Sequence, residues 1–507
     1  MRLSCIHEPM RVAYTARRPS ATDRDSKRDA IVACGRSIRS QAMRTITTNV
    51  AVIGAGTAGL AAYRAARAEG ASAVIIEGGP YGTTCARVGC MPSKLLIAAA
   101  EAAHAANHAA PFGIAVGNVR VDGEAVMARV RRERDRFVGF VVDGVEALPV
   151  EDRLVGYARF VDDGLLQVDD HTRVRAASVV IATGSTPTIP DVLSGVRDRV
   201  VVNDDVFAWT TLPRSVAVMG PGVIGLELGQ ALARLGVRVS VYGARGSVGQ
   251  LTDPKLVEAA RAIFGDAFHF EPSGTMLSAT RVDDGVTLRY RRADGSTIDA
   301  TYEYVLAATG RHPDVRNLGL ANTSIEPGEH GVPQFDPQTL QVYGHPVFIA
   351  GDANGVLPLL HEAADEGRAA GRNAARYPDV AKIERRAPLA IVFSDPQIAL
   401  VGARHRELRA DTFVTGEVSF EDQGRSRVML KNRGRAHVYV DRATRRFVGA
   451  EMLGPSAEHI GHLLAWSLQM ELTVDAMLAM PFYHPVVEEG LRTALRDAAA
   501  KLGTRQQ

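Results

Sequence analysis

The strongest constraint in this chain is a strand–glycine–helix pattern that occurs twice. Residues Asn49–Gly54 (NVAVIG) form a short apolar run. Gly54, Gly56 and Gly59 follow in GAGTAG, then an Ala-rich helical stretch, LAAYRAARAEG, and a second apolar run, AVIIE, ending at Glu77. Each part has a task in holding a dinucleotide. The first glycine permits a tight turn, the second lets a pyrophosphate approach the backbone, and the third lets helix and strand pack closely. The helix N-terminus offers free N–H groups and a positive dipole to the phosphates. Glu77, about 20 residues beyond the glycines, can bind ribose hydroxyls of an adenosine half. The pattern returns in SVAVMG, with Gly220, Gly222 and Gly225 in GPGVIG, where Val223 and Ile224 lead into the helix LELGQALARLG and the strand VRVSVY. Two such units imply two dinucleotides, or one dinucleotide and a degenerate copy, each heading its own domain.

A length of 507 residues suggests roughly three domains at about 150 residues each. With 46% hydrophobic and 23% charged residues, the chain has enough apolar material for a large core. A net charge of only +2 gives no reason to expect nucleic acid or an acidic membrane as partner. No apolar run reaches the roughly 18 residues of a membrane span. Two further segments, Val179–Ser185 (VVIATGS, with Thr183 and Gly184) and Val305–Arg311 (VLAATGR, with Gly310), read as buried strands leaving through a Thr-Gly turn. The segment Thr339–Asp352 ends in Gly351-Asp352, an acid that could meet the ribityl hydroxyls of a flavin or serve as a turn residue. Residues 1–46 are rich in Arg and Ser and lack the apolar core of a secretory signal. They are expected to be a disordered tail, or an upstream start with Met43 as the true one.

The chain contains four cysteines, Cys5, Cys34, Cys85 and Cys90, too few for a disulfide-stapled secreted fold, so a reducing, cytoplasmic setting is expected. Cys5 and Cys34 fall in the tail. Cys85 and Cys90 stand together in YGTTCARVGCMPSKLL. Five residues of ideal helix rise about 7.5 Å, against about 4.4–6.8 Å between the Cα atoms of a disulfide. A bridge therefore needs a distorted turn, which Gly82 and Gly89 make feasible. A reduced pair at the start of a helix over Ser93–Ala103 would have its thiolate stabilised by the helix dipole. A metal site would need more ligands than the pair supplies, and no metal is expected.

Near the C-terminus lies PFYHPVVEEGLRTALRDAAAKL. Pro485 suits the first position of a helix, which puts His484 at a helix entrance. A carboxylate on one ring nitrogen would fix the tautomer and raise the basicity of the other, and such a dyad could take a proton from a thiol. Spacing leaves the choice between Glu488 and Glu489 open.

Together these motifs resemble the pyridine nucleotide–disulfide oxidoreductases, and within them the dihydrolipoyl dehydrogenases, over about residues 47–502. GTTCARVGCMPSK, GPGVIGLELGQ, IAGD with LLHEAADEG (Leu359–Gly367) and HPVVEE carry the likeness. The resemblance implies an α/β chain with two Rossmann-like domains, for FAD and NAD(P), and a C-terminal α+β dimerisation domain. The implied order is the extension 1–46, an FAD domain 47–193, an NAD(P) domain 194–311, a segment 312–386 completing the FAD side, and a dimerisation domain 387–507. It further implies a homodimer in which His484 reaches the partner subunit's disulfide. By the same likeness Cys85 exchanges with dihydrolipoamide, free or on a lipoyl-bearing protein, while Cys90 forms the thiolate against the flavin and Glu489 is the acid of the dyad. Lys94 and Glu227 pair near the flavin. The FAD side takes in Gly54, Gly56, Gly59, Glu77, Thr84, Lys94, Ala158, Thr183, Gly184, Arg311, Asp352 and Leu360. The nucleotide side takes in Gly220, Gly222, Val223, Ile224, Gly225, Glu227, Gly243, Arg245 and Gly310.

The sequence departs from that family's pattern in places. Thr83 replaces a Gly and Arg87 an Asn around the cysteines, which predicts altered packing or redox tuning. Gly243 stands where NAD-using relatives carry an acid for the ribose, and Arg245 two residues on could meet a 2′-phosphate. Gly225 favours NAD-type packing, so NAD is expected, with NADP open. No cysteine follows Cys90, unlike mercuric reductases, and Pro92-Ser93-Lys94 differs from the PKK of glutathione reductases. A reductase of another disulfide remains an alternative, as does a flavin-binding component without turnover.

Overall fold

The computed structural model describes residues 43–503; residues 1–42, with Cys5 and Cys34, lie outside them. The first strand runs Arg44–Ile53, so Arg44, Thr45 and Ile46 belong to the sheet and not to the tail. They pair in parallel with Thr172, Arg173 and Val174. RTITTN reads as polar, and Arg44, Thr45, Thr47 and Asn49 are exposed to solvent, where polar side chains cost little.

This strand sits in a seven-stranded sheet ordered 153–155, 73–77, 44–53, 172–181, 165–168 and 158–162, with 347–349 beside 172–181. The strands 73–77, 172–181 and 347–349 pair in parallel at the centre. Strands 158–162 and 165–168 add an antiparallel meander. Four helices belong to this half: α1 (Thr57–Ala68), α2 (Thr84–Val88), α3 (Cys90–Asn107) and α4 (Gly123–Glu146).

The second glycine unit builds its own five-stranded parallel sheet, ordered 269–271, 238–242, 215–219, 304–307 and 200–201. Its first helix is α5 (Val223–Arg234). A three-stranded antiparallel sheet over 274–302 packs beside it. Strands 185–187 and 311–313, the two Thr-Gly exits, pair antiparallel and join the halves. Past residue 347 the chain returns to the first sheet and forms α6 (Leu360–Arg376). The last part is a five-stranded antiparallel sheet, 389–392, 397–402, 447–454, 435–441 and 413–419. It is covered by helices that include α7 (Glu489–Leu502), whose Leu491, Ala494, Leu495 and Ala498 are buried. The chain is thus α/β in its two dinucleotide-type units and α+β at its C-terminus. Among the described residues, no helix is long and apolar enough to cross a membrane.

Helices α1 and α6 touch backbone to backbone. A Cβ at Gly367 would lie 2.2 Å from the Ala58 carbonyl oxygen, and one at Gly371 would lie 2.1 Å from that of Ala62. The base of α6 is fixed by the buried Glu366 carboxylate, which accepts from Gly351 N–H, Asn354 Nδ2 and Arg385. Gly371→Ala should therefore cost about 1–3 kcal/mol by overpacking, read from urea denaturation. Gly265→Ala, where nothing lies within 4 Å, should be neutral or stabilising by up to about 1 kcal/mol.

Candidate active site

The two glycine triplets share one geometry. Gly54 (φ +104°) and Gly220 (φ +109°) turn the chain where a Cβ would strike the carbonyls of Ala182 and Ala308, at 2.4 and 2.3 Å. Gly59 and Gly225 are pressed on the first glycine's carbonyl, their Cβ positions 1.8 and 1.9 Å from the oxygens of Gly54 and Gly220. Gly56 and Gly222 have nothing within 4 Å of that position, which leaves the open approach a pyrophosphate needs. The first and third glycines are thus required by the fold itself, and the second by a ligand.

Around the first cradle the polar groups fit an FAD. Glu77 is pinned at its strand end, accepting from Ala55 N–H at 2.7 Å and Gly79 N–H at 2.8 Å. The Thr183 hydroxyl is buried without a hydrogen-bond partner, a rare and costly state that a bound polar group relieves. Beside it Gly184 has φ +76°. Ser185 donates to Asp352 at 2.7 Å and receives Arg311 Nε at 2.8 Å. Ala158 is buried in the meander, and Thr84 opens α2 exposed. The exposed side chain of Leu360 lines a cleft with Cys85.

At the second cradle Val223 and Ile224 start α5, and Gly310 has φ +111° at the facing turn. Gly243 proves to be required by packing. A Cβ there would lie 2.6 Å from the Pro272 carbonyl oxygen and 2.8 Å from the Pro221 ring. Its own carbonyl accepts from Tyr290 Oη at 2.7 Å. An acid cannot occupy this position without moving backbone. Arg245 is exposed two residues on.

The cysteine pair lies across a break between two helices. Thr83 caps α2 through Oγ1, accepting from Ala86 N–H at 3.3 Å, at φ +58°. That backbone region favours the glycine usual in the family and is strained for a β-branched residue. Gly89 (φ −127°, ψ −117°) ends α2 and starts α3, so the helix begins at Cys90 and not at Ser93. Pro92 is accommodated because the first turn of a helix has no use for its N–H. Cys85 and Cys90 are free thiols, Cys85 half-buried and Cys90 exposed. A hydrogen bond from Cys85 lowers Cys90 to about 7, aided by Lys94 and opposed by burial. The same hydrogen bond, with burial, pushes Cys85 far up. One proton and one charge are thus divided unequally. Arg87 tucks its Nε into the protein without a partner.

Lys94 bonds Glu227 of α5 at 2.7 Å and lies over the Phe393 ring at 4.4 Å. Glu227 in turn accepts from Phe393 N–H at 3.0 Å. The pair expected from the sequence is therefore formed, with the C-terminal sheet as a third member.

At the other end His484 Nδ1 lies 3.0 Å from Glu489 Oε2, so Glu489 is the bonded acid and not Glu488. The helix starts at Glu489, and Pro485 precedes it, which corrects the helix entrance expected at Pro485. Burial pushes the Glu489 carboxyl up, but hydrogen bonds from His484 and Val486 N–H outweigh it and hold the group below the usual range. Arg492 bonds its other oxygen at 2.9 Å. His484 is 80% exposed, and no hydrogen bond links it to Cys85 or Cys90 among the described residues.

A ligand-like spacing does occur at His104, on α3, and His108, just past its end: their rings stand 3.9 Å apart, and burial, with Arg234 and His108, lowers His104 to about 4. Among the described residues no group of three or more His, Cys, Asp and Glu is placed to hold a metal ion.

Comparison with known proteins agrees with this geometry. The pyridine nucleotide-disulphide oxidoreductase family matches residues 48–367, and its dimerisation domain matches residues 389–495. The chain is 31% identical to dihydrolipoyl dehydrogenase 2 of Haloarcula marismortui, over 90% of this chain and 97% of that one. It is also 31% identical to a mercuric reductase of Shigella flexneri, over 88% and 80% of the two chains. The HOCl-induced flavoprotein disulfide reductase RclA of Escherichia coli superposes with a TM-score of 0.73 at 20% identity, covering 89% of this chain and 99% of the other.

In the reduced protein, alkylation of Cys90 by iodoacetamide should rise with pH through about 7. The thiolate is present above that value and lost below it. Cys85→Ala should move the midpoint upward, followed by mass spectrometry of the Cys90 peptide.

Proposed function

Because the chain belongs to the pyridine nucleotide-disulphide oxidoreductases, which use FAD and NAD(P), we propose that it oxidises dihydrolipoamide, free or on a lipoyl-bearing protein, and reduces NAD+. The observation that carries this reading is the thiol pair itself: Cys85 on α2 and Cys90 at the start of α3 are free, hydrogen-bonded to each other, with Lys94 one turn on. A merely structural flavoprotein has no need of such a pair.

In this reading His484 Nε2, oriented by Glu489 on Nδ1, takes a proton from one substrate thiol. The resulting thiolate attacks Cys85 Sγ of the oxidised pair, the Cys85–Cys90 bond breaks, and Cys90 leaves as thiolate. The second substrate thiol then displaces Cys85, which takes up a proton, and the substrate departs as a cyclic disulfide. Two electrons have moved from substrate to protein. FAD, which Gly54, Gly56, Gly59 and Glu77 would hold, would supply the acceptor for that electron pair and the hydride for the nicotinamide. Lys94 keeps the charge on Cys90 compensated. The match to a dimerisation domain and the exposure of His484 support a homodimer in which each His484 serves the partner subunit's cysteines. A cytoplasmic setting belongs to the same reading.

A second reading, NADPH-driven reduction of another disulfide, is favoured by one observation: Gly243 leaves no room for the ribose acid, while Arg245 is exposed beside it. Titration with 2′,5′-ADP and with AMP separates the two, since tighter binding of the 2′-phosphate compound that Arg245→Ala abolishes would assign NADP.

Purified, flavin-loaded protein should reduce NAD+ with dihydrolipoamide. Cys85→Ser should abolish the reaction, and His484→Gln should slow it by about 10²–10⁴-fold. No reduction of either nucleotide would overturn the lipoyl assignment.

A further inference from the structure

The two cysteines are separated by a turn that the nucleotide unit holds from outside. Val88 ends α2, three residues past Cys85 and two before Cys90. A helix of five residues leaves its last carbonyls without partners of its own. The Val88 carbonyl is nonetheless bonded, accepting from Asn203 Nδ2 at 2.8 Å. Asn203 is 6% exposed and opens the short helix Asn203–Val206, just past strand 200–201 of the second sheet.

This contact is one link of a longer chain. The Asn203 amide oxygen accepts from Arg311 Nη1 at 3.4 Å. Arg311 Nε donates to Ser185 Oγ, which donates to Asp352. Hydrogen bonds thus run from the acid expected to face a flavin to the carbonyl between the cysteines. Asn203 Nδ2 also lies 3.0 Å from Asp204 Oδ1, so the amide cannot turn over without setting its oxygen against two acceptors. Asp204 faces the same turn. Burial pushes its carboxyl up, and attraction to Arg311 and to Arg87, which lies between the cysteines, opposes the rise.

The placing of the turn bears on both sulfurs. The hydrogen bond from Cys85 is the chief cause of the acidity of Cys90, and Lys94 and Glu227 are the charged groups that face it. Such a bond weakens steeply with angle and distance, and a disulfide closes only over a narrow range of separations. Resting on the reading of Cys85 and Cys90 as the redox pair, we propose that Asn203 is its positioning residue. By holding the Val88 carbonyl it sets the approach of the two sulfurs, and through Arg311 and Ser185 it ties their turn to Asp352.

Closure of the pair by oxidised dithiothreitol in the flavin-loaded protein tests this. One S–S bond forms in the protein, two electrons and two protons pass to the reagent, and mass spectrometry after quenching gives the closure constant. Asn203→Asp keeps the shape and loses the donor, and Asn203→Ala loses both. Each should lower the constant about three- to tenfold through lost alignment of the sulfurs. Each should also raise the pH midpoint of Cys90 alkylation by about half a unit to one unit, a fraction of a charged hydrogen bond. Ser185→Ala, further along the chain, should give a smaller change of the same sign, and it decides the matter if neither Asn203 variant folds. Gly371→Ala, destabilised at the α1–α6 contact instead, should leave both readouts at wild type. Variants that match wild type in closure and acidity, or an equal shift in Gly371→Ala, overturn the proposal and leave the redox reading standing. A wild-type pair that does not close overturns both.

Discussion

The ion pair between Lys94 and Glu227 holds the working parts in register. Glu227 is 5% exposed, and a carboxylate so placed is tolerable only with a partner and further hydrogen bonds. Lys94 supplies one and Phe393 N–H the other. The three residues belong to α3, α5 and the C-terminal sheet. Because Lys94 sits one turn along the helix that Cys90 begins, fixing Lys94 against α5 fixes the cysteine relative to the second glycine cradle. Removing either charge would leave the other stranded and would loosen the helix that Cys90 begins.

Much of this arrangement was legible in the sequence, because backbone sterics leave little choice. The first and third glycines of each triplet are demanded by contacts of about 2 Å with neighbouring carbonyls, so the motif can be read with no knowledge of the rest. The Lys94–Glu227 pair and the choice of Glu489 came through family likeness, since no local spacing links them. The helix boundaries differ from the sequence expectation for a definite reason: Pro485 suits a helix start, yet the helix waits until Glu489, while Pro92 is accommodated in a helix already begun at Cys90. The role of Gly243 is invisible in the sequence because the Pro272 carbonyl that crowds it lies 29 residues on, just past strand 269–271.

In the proposed reaction the inequality of the two thiols favours one division of labour between the sulfurs. In exchange, the better leaving group is the thiol of lower pKa. Cys90, at about 7, therefore leaves when a thiolate attacks Cys85, whereas attack on Cys90 would have to expel the poorly acidic Cys85. In the proposed reaction acidity thus leaves Cys85 for the substrate and Cys90 to carry the charge beside Lys94.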